Sequence, residues 1–444
     1  MATTATKVLD NLISSALMDE YFLGDFMNDL LDGNLLGFEK KLTVTVRNLY
    51  DGFVSEIFRT VFSSIEFENR LKEISKSLGL SKLSKRTFKL QVSTGTWISF
   101  ESLYAEKAPP IYNSERSLFH LHFKTVAKAS PLYVSRAAQL SVMTPSFSIA
   151  EQVMSGFECD GDAERNRQLS LMAGHSALEN RIENMLLPEE TLSDKRVIIG
   201  IDGGGTRTRE WKEESDNRYG EFSTPWKEPK LLVISTIDEH GKVDKKRLPV
   251  YDVSFGDDET FELLKGYLKA LQIEKAQSVQ IVADGAPWIW NRAKPMLIGL
   301  GVPENIIFET LDYYHAVEHL NELKQYLPKS EQESTMKTLK ELLGKGDIPQ
   351  MKQVLSQLLP DFQESPLKPF DYFEKNKGRM QYDVCKIMNM PVGSGIVESC
   401  VRRIINLRFK CPSSFWNIEN LQPLFYLRAA FLSGRWNNLF RNLT

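Results

Sequence analysis

Residues 196–202 read Arg-Val-Ile-Ile-Gly-Ile-Asp (RVIIGID), and this stretch decides the fold class. A short apolar run that ends at a polar turn is typical of a strand buried on both faces. Four more such runs follow, and the later ones are separated by apolar residues at helical spacing. The predicted strands are residues 196–202, 230–237, 248–254, 278–284 and 306–311, and the predicted helices are residues 257–272, 288–300 and 313–326.

The order of these elements predicts an α/β fold with a mixed five-stranded sheet. The first three strands are joined by short connections, and helices separate the remaining ones, as in RNase H-like folds. Residues 328–378 interrupt the pattern with helical sequence rich in lysine and glutamine, and a final helix begins near Gly395. We therefore expect an RNase H-like domain over residues 191–444 with a helical insertion.

The N-terminal part is predicted to be mainly helical. Residues 1–85 form a helical region with breaks at Gly24 and Gly33. Residues 86–104 alternate around the turn Ser93-Thr94-Gly95, which predicts a β-hairpin. Three short helices follow, starting at Ser130-Pro131, after Thr144-Pro145 and near Asp162, so residues 86–190 contain either a helix-turn-helix-like module or a plain helical connector.

Composition and charge narrow the functional classes. The 444 residues carry 55 basic and 58 acidic side chains, a formal charge of −3, which argues against a uniformly basic nucleic-acid coat. The basic residues are locally concentrated at 72–89 and 399–444. Four cysteines form no Cys-x-x-Cys pair, which argues against a disulfide framework or a four-cysteine zinc site. With no membrane-length apolar run and no signal peptide, we expect a cytoplasmic, nucleoid-associated protein.

Three carboxylates stand where a sheet of this kind would present them. Asp202 ends the first strand, Asp284 ends the fourth, and Glu398 lies in the first turn of the final helix. Adjacent strand ends and a nearby helix can bring such acids to one point, where they can hold hard cations such as Mg²⁺. Two such ions activate a nucleophile and stabilise the leaving oxygen of a phosphodiester. The alternative is that each acid simply precedes a turn.

The glycine run after the first strand supports a second interpretation. GIDGGGTRT, residues 200–208, has the composition of the first phosphate loop of actin-like (ASKHA) ATPases and sugar kinases, in which backbone N–H groups hold nucleotide phosphates. These proteins share an RNase H-like core, so the fold does not discriminate. The later segment ADGAPWIWN, with Pro287 and two tryptophans after the turn, would make a poor second phosphate loop.

Taken together, the motifs resemble those of a known family. The chain is similar to bacterial insertion-sequence DDE transposases of the ISKra type over roughly residues 196–444, and more weakly over residues 86–185. Four segments carry the resemblance in order: IDGGGTRTREWKEE (201–214), ADGAPWIWN (283–291), LDYYHAVEHL (311–320) and FEKNKGRMQYDVCKIMNMPVGSGIVESCVRR (373–403). The closing LRAAFLSGRWNNLF (427–440) is also similar.

The resemblance implies a reaction and a site. Asp202, Asp284 and Glu398 would form a catalytic triad that binds two Mg²⁺ ions, with Mn²⁺ as a possible substitute. The implied reaction is water-driven cleavage at transposon ends, followed by transfer of the freed 3′-hydroxyl into target DNA. His315, three residues after Asp312, would lie near the cleaved strand, or would simply begin a helix capped by that aspartate. A catalytically inactive DNA-binding descendant is a further interpretation.

Double-stranded DNA is the partner that this function requires. Because transposition joins two ends, a homodimer or larger assembly on DNA is expected. The residues predicted to contact DNA are Lys85, Arg86, Arg402, Arg403, Arg408 and Lys410 for phosphates, and Trp288 for stacking on unpaired bases. Relatives often carry a cysteine pair after the hairpin, which this sequence lacks, and His120 and His122 are predicted to share one strand face.

Overall fold

The computed structural model describes residues 20–107, 116–211, 221–359, 362, 368–412 and 414–442. It divides the chain into two compact units, residues 1–176 with 440–444, and residues 177–439. The sequence was instead divided into three segments, with its last boundary near residue 190. The predicted helical content of residues 1–19, and Lys212 to Glu214 of the first motif, lie outside the described residues.

The first unit combines long helices with a hairpin. Its elements are α1 Glu20–Leu31, α2 Leu35–Phe62, α3 Ile65–Ser77, β1 Leu83–Gln91, β2 Trp97–Ala105, α4 Leu118–Phe123, α5 Pro131–Met143, α6 Phe147–Gly156 and most of α7 Ala163–Glu179. The antiparallel pairing of β1 with β2 confirms the predicted hairpin. Phe88, Phe100 and Phe119 are buried where the hairpin packs on helices α2 to α4.

Two predictions in this unit are wrong. Gly24 lies inside α1, so the helix break falls only at Gly33, whose positive φ of 70° suits a residue without a Cβ. His120 and His122 lie on α4 instead of a strand, and therefore do not alternate onto one strand face. The three later helices begin as predicted, because the side-chain oxygens of Ser130, Ser146 and Asp162 each accept a backbone N–H at a helix N-terminus.

The second unit is built on the predicted sheet. Its longer strands are β3 Arg196–Gly203, β8 Lys230–Ile237, β9 Val250–Ser254, β10 Ser278–Ala283 and β11 Ile307–Leu311, in the spatial order β11-β10-β3-β8-β9. Strand β8 is antiparallel to both of its neighbours, and β3, β10 and β11 are parallel. The α/β class and the mixed five-stranded sheet are therefore confirmed. Four two-residue strands pair between β3 and β8: β4 Thr206–Arg207 with β7 Trp226–Lys227, and β5 Glu210–Trp211 with β6 Phe222–Ser223.

Helices surround this sheet and supply the insertion. They are α8 Arg181–Met185, α9 Asp257–Ala270, α10 Pro287–Trp290, α11 Ala293–Gly299, α12 Tyr313–Glu322, α13 Gln332–Leu343, α14 Ile348–Leu358, α15 Lys368–Asn376, α16 Tyr382–Ile387, α17 Gly395–Val401, α18 Leu407–Phe409, α19 Ile418–Leu432 and α20 Trp436–Asn442. A π-helical turn, Arg402–Asn406, separates α17 from α18. Within the described ranges, no helix combines the length and apolarity needed to cross a bilayer.

Candidate functional site

Three aspartates line the carboxyl edge of the sheet. The parallel register pairs Val282 with Gly200, and Ala283 with Leu311. Continued past the strand ends, it places Asp284 beside both Asp202 and Asp312, on the three adjacent strands β3, β10 and β11. The sequence predicted that Asp202 and Asp284 would be neighbours, and this register brings them together.

The carboxylates of Asp202 and Asp284 each accept a hydrogen bond from a backbone N–H of the turn that follows them. Oδ1 of Asp202 accepts a hydrogen bond from the Gly203 N–H at 2.7 Å, and Oδ1 of Asp284 accepts one from the Ala286 N–H at 3.0 Å. Both side chains are only partly exposed. The turns therefore fix where the carboxylates point, which is what a preorganised ion-binding or phosphate-binding edge requires.

The electrostatics of Asp202 reflect this crowding. Burial raises the pKa of Asp202 to about 6, and the negative charges of Asp284 and Glu228 add to the effect. The Gly203 N–H and the positive charge of His315 act in the opposite direction. Like charges this close are unfavourable without a counter-cation, so the pair has the character of a cation-binding site.

Asp312 has a different role from its two neighbours. Its Oδ1 accepts hydrogen bonds from the backbone N–H groups of Tyr314 and His315, and so caps α12. Its Oδ2 accepts the Ser394 N–H at 2.7 Å and also the Ser394 hydroxyl. Burial opposes ionisation of Asp312, but the hydrogen bonds from His315 and Ser394 outweigh it and hold the pKa well below its usual range. Both oxygens are engaged, and Asp312 ties the start of α12 to the start of α17.

His315 is a cation next to these acids. Its Nδ1 lies 3.6 Å from Oδ2 of Asp312, an ion-pair distance that is too long for a hydrogen bond. The Asp312 carboxylate raises the pKa of His315 to about 9 against the effect of burial, and the charges of Glu318 and Asp284 contribute. At neutral pH this imidazole is therefore protonated, so it can donate to an anion but cannot accept a proton.

Helix α17 carries the third predicted acid and packs on strand β3. A Cβ added at Gly200 would lie 2.0 Å from Cγ2 of Val397, so the glycine permits this close approach. Glu398, the next residue, is exposed in the first turn of α17. Across the described ranges, no three His, Cys, Asp or Glu side chains converge where a metal ion would bind. The structure thus brings Asp202 and Asp284 together and leaves the Glu398 side chain outside their cluster.

Tyr372, from helix α15 of the insertion, also reaches the acidic edge, although no sequence motif marks it. A Cβ at Gly285 would lie 2.5 Å from Cε2 and 3.1 Å from Oη of Tyr372. Burial raises the pKa of Tyr372, as do the charges of Asp284 and Asp312, so the phenol stays protonated. Its hydroxyl is buried without a hydrogen-bond partner among the described residues. A buried donor beside two carboxylates is a candidate substrate contact.

The glycine run after β3 is closed in by the protein itself. The Gly203 N–H donates to Asp202, and the Gly204 N–H donates to the Pro229 carbonyl at 3.0 Å. Side chains occupy the space beside these glycines as well, since a Cβ at Gly204 would lie 2.9 Å from Cδ1 of Ile405. Two of the N–H groups that a phosphate loop would offer to a nucleotide are therefore already used.

The C-terminal basic residues divide into surface and interior. Arg402 and Lys410 are exposed. Arg403 is partly buried, and its Nη2 donates to the Tyr251 hydroxyl at 3.2 Å. Arg408 is only 2% exposed, with its guanidinium carbon 4.9 Å from the Trp416 ring centroid. The predicted DNA contact of Arg408 is therefore corrected, because the strands and helices around it bury the side chain.

The remaining predicted DNA contacts already have partners within the chain. Nζ of Lys85 lies 2.6 Å from Oε2 of Glu68, although the lysine is well exposed. Arg86 is exposed, with its guanidinium carbon 5.8 Å from the Tyr104 ring centroid. In the second unit, Trp288 packs edge-on against Phe261.

The third helix of the helix-turn-helix-like region, α7, also uses its arginines internally. Arg165 donates to the Gln91 side chain and the Ala127 carbonyl, and Arg167 forms a two-bond pair with Glu164. These contacts weaken the interpretation of α7 as a helix that reads DNA and favour the plain connector.

No protein-family model matches the chain, and no curated protein matches it.

Proposed function

We propose that this chain is a DNA transposase of the insertion-sequence type, which cleaves phosphodiester bonds at transposon ends and transfers the freed strand into target DNA. The observation that carries the proposal is the pairing of Asp202 and Asp284 at equivalent positions of the adjacent parallel strands β3 and β10. The strand order supports it, because a 5-4-1-2-3 sheet with only the second strand reversed is the arrangement of RNase H-like nucleases.

A divalent cation fits the donors present at this edge. The described hydrogen bonds to Asp202 and Asp284 use one oxygen of each carboxylate, and mutual repulsion favours a positive ion between them. Asp202 and Asp284 would hold Mg²⁺, or Mn²⁺, whereas Glu398, the third acid that the sequence predicts for this role, lies outside their cluster. Such ions would activate the attacking oxygen and stabilise the leaving one. The hard oxygen donors match these metals better than softer ones.

The neighbouring residues support phosphate chemistry at the same edge. The protonated His315 supplies a fixed positive charge beside the acids, where it can contact a phosphate oxygen or donate a proton to a leaving oxygen. Asp312 holds both the His315 turn and the Ser394 turn, and so orients the histidine relative to helix α17. Arg402 is exposed one turn beyond Glu398, and in this proposal it would neutralise a phosphate of the DNA backbone.

The actin-like ATPase or sugar kinase is the less favoured function. Its first phosphate loop would need the N–H groups of residues 203 and 204, which donate to Asp202 and Pro229. The second turn is covered by the Tyr372 ring at Gly285. Calorimetric titration with ATP tests this alternative. Binding of ATP that is lost in Asp202→Ala would favour the ATPase or sugar kinase over the transposase.

The decisive experiment is a cleavage assay with the full chain. Purified protein is incubated with duplex DNA taken from both flanks of its gene, with Mg²⁺, and nicks are mapped by sequencing gels. We expect nicks that leave a 3′-hydroxyl, and their loss in Asp284→Asn, which keeps the shape of the side chain but removes its charge. Glu262→Gln, an exposed acid of helix α9, is the matched control and should cut like the unaltered protein. Undiminished nicking by Asp284→Asn would reject the assigned role.

A further inference from the structure

An exposed strip of rings and cations lies beside the acidic edge. We call it the aromatic–basic surface, and it consists of Arg207, Arg209, Trp211, Phe222, Trp226 and Lys410. The short strands β4 to β7, the connection between β4 and β5, and the residue after helix α18 supply these side chains. It adjoins the proposed site, since a Cβ at Gly205, three residues after Asp202, would lie 3.1 Å from the Trp226 ring.

Cations and rings alternate along this surface. The guanidinium carbon of Arg207 lies 4.9 Å from the Trp226 ring centroid, and Nζ of Lys410 lies 5.5 Å from the same centroid. Arg207 and Trp226 face each other across the β4–β7 pair. The cations are therefore held at the rings by cation–π attraction, which keeps both kinds of group at one place.

A second group repeats the arrangement one step along the hairpin. Trp211 faces Phe222 across the β5–β6 pair, with ring centroids 5.4 Å apart. The guanidinium carbon of Arg209 lies 4.6 Å from the Phe222 ring centroid and 5.4 Å from that of Trp211. Its Nε is buried without a hydrogen-bond partner among the described residues.

The surface has exposed rings, and its cations have no carboxylate partner among the described residues. Trp226 is 52% exposed and Trp211 is 45% exposed, which is unusual for side chains that normally bury most of their area. Within the described part of the chain, no carboxylate pairs with Arg207, Arg209 or Lys410. The acid Glu210, next to Trp211, pairs instead with Lys227 at 2.9 Å.

The chemistry of this surface fits a single nucleic-acid strand. Unpaired bases stack on exposed aromatic rings, and the phosphates between them are met by lysine and arginine. A duplex presents its phosphates, but the faces of its bases are stacked on one another. It could therefore contact the cations of this surface, but its bases could not stack on the aromatic rings. A lipid or an apolar protein face would not need three unmatched cations among the rings.

We infer that the aromatic–basic surface binds single-stranded DNA through base stacking on Trp226 and Trp211. Its biological meaning rests on the proposed function, in which a strand freed near Asp202 and Asp284 would pass over this surface. Arg207, Arg209 and Lys410 take the phosphates, and the rings take the bases. The binding itself needs neither metal nor cleavage.

The test is fluorescence anisotropy with a labelled oligothymidine of about 16 nucleotides, with EDTA present. An abasic oligomer of equal length carries the same phosphates without bases. We expect the full chain to prefer the oligothymidine, and Trp226→Ala to weaken that binding roughly ten-fold while hardly affecting the abasic oligomer. Trp226→Phe, which keeps a ring, should retain most of the affinity and shows that the position tolerates change.

Trp97→Ala is the matched control, because Trp97 is 49% exposed and lies under Arg165 at 5.5 Å, but belongs to the first unit. It should bind the oligothymidine like the unaltered protein. Equal binding of both oligomers, or an unchanged affinity in Trp226→Ala, would overturn the inference. A protein that nicks flanking duplex DNA but fails this test contradicts only the inference, and one that passes it without nicking contradicts only the proposed function.

Discussion

At the scale of single residues, Asp202 is the aspartate of the acidic edge whose ionised form is disfavoured. Burial and the nearby charge of Asp284 favour the neutral carboxyl group, and the pKa of Asp202 rises to about 6 from an ordinary 3.8. The folded protein therefore holds this proton more tightly than the unfolded chain does. A carboxyl group in a cleft whose pKa is raised by burial and by a like charge is a candidate functional residue.

This shift predicts how stability depends on pH in the presence of a chelator. Well below pH 4 the carboxyl group is protonated in both states and costs nothing. Between about pH 4 and about pH 6 the unfolded chain loses this proton while the folded protein still holds it, so the folded state loses stability as the pH rises. Asp202→Asn removes the cost. We expect the variant to be more stable than the unaltered protein by up to about 3 kcal/mol at pH 7, with little difference at pH 4. Urea denaturation at both pH values measures this, and a variant less stable at pH 7 would contradict it.

The sequence indicates some of these residues better than others. Asp202 and Asp284 end strongly apolar runs, and parallel strands bring such ends together, so their proximity is predictable. The position of Tyr372 is not, because it depends on how the insertion folds back over Gly285. The sequence does not indicate that Arg408 is buried either, because an arginine in a basic segment is usually exposed. Its burial depends on the tertiary contact with the Trp416 ring.

At the scale of elements, the contact between strand β3 and helix α17 is the one most open to test. Gly200→Ala would put a methyl group into Val397, and strands and helices packed this closely cannot yield without strain. We expect a loss of about 1–3 kcal/mol in the free energy of unfolding, measured by urea denaturation. Gly299→Ala, in helix α11 with open space around the added methyl, is the control and should be neutral or slightly stabilising. Equal stability of the two variants would show that α17 is not held at Gly200.

Element boundaries followed from local chemistry where caps were present. Ser130, Ser146 and Asp312 each begin a helix through a side-chain hydrogen bond, and all three starts were predicted. The prediction of a helix break at Gly24 is wrong, because a helix can continue through a glycine at a cost of about 1 kcal/mol, as α1 does. Prediction also failed for His120 and His122, whose short helix has no pattern long enough to distinguish it from a strand.

At the scale of the whole molecule, the chain crosses between its two units twice. Residues 440–444 leave the second unit and belong to the first, where Phe440 packs against the cluster of Ala129, Tyr133, Val134 and their neighbours.

Charge is unevenly distributed along the chain. The formal net charge of −3 is an average over basic segments and the acids of the sheet edge. It therefore does not argue against an enzyme that acts on DNA.

The second crossing leads to a prediction about unit stability. Phe440→Ala should reduce the stability of the first unit by about 1–3 kcal/mol, because the ring is only partly buried, and leave the sheet unchanged. Hydrogen exchange resolves this, with faster exchange expected in helices α5 and α7 and no change in β3. Asn437→Ala, an exposed position on the same helix α20, serves as the control. Uniformly faster exchange in both units would mean that they unfold together.

The position of Phe440 also bears on how the protein is made. A ribosome releases the sequence of the hairpin and helices α5 to α7 early, yet one ring of the cluster that packs them is translated only after the entire sheet domain. The first unit therefore lacks this ring until translation of the second unit is nearly finished, whereas the second unit is contiguous in sequence and can fold as it emerges. We therefore expect the contact of Phe440 with this cluster to form only after the sequence of the second unit has been translated.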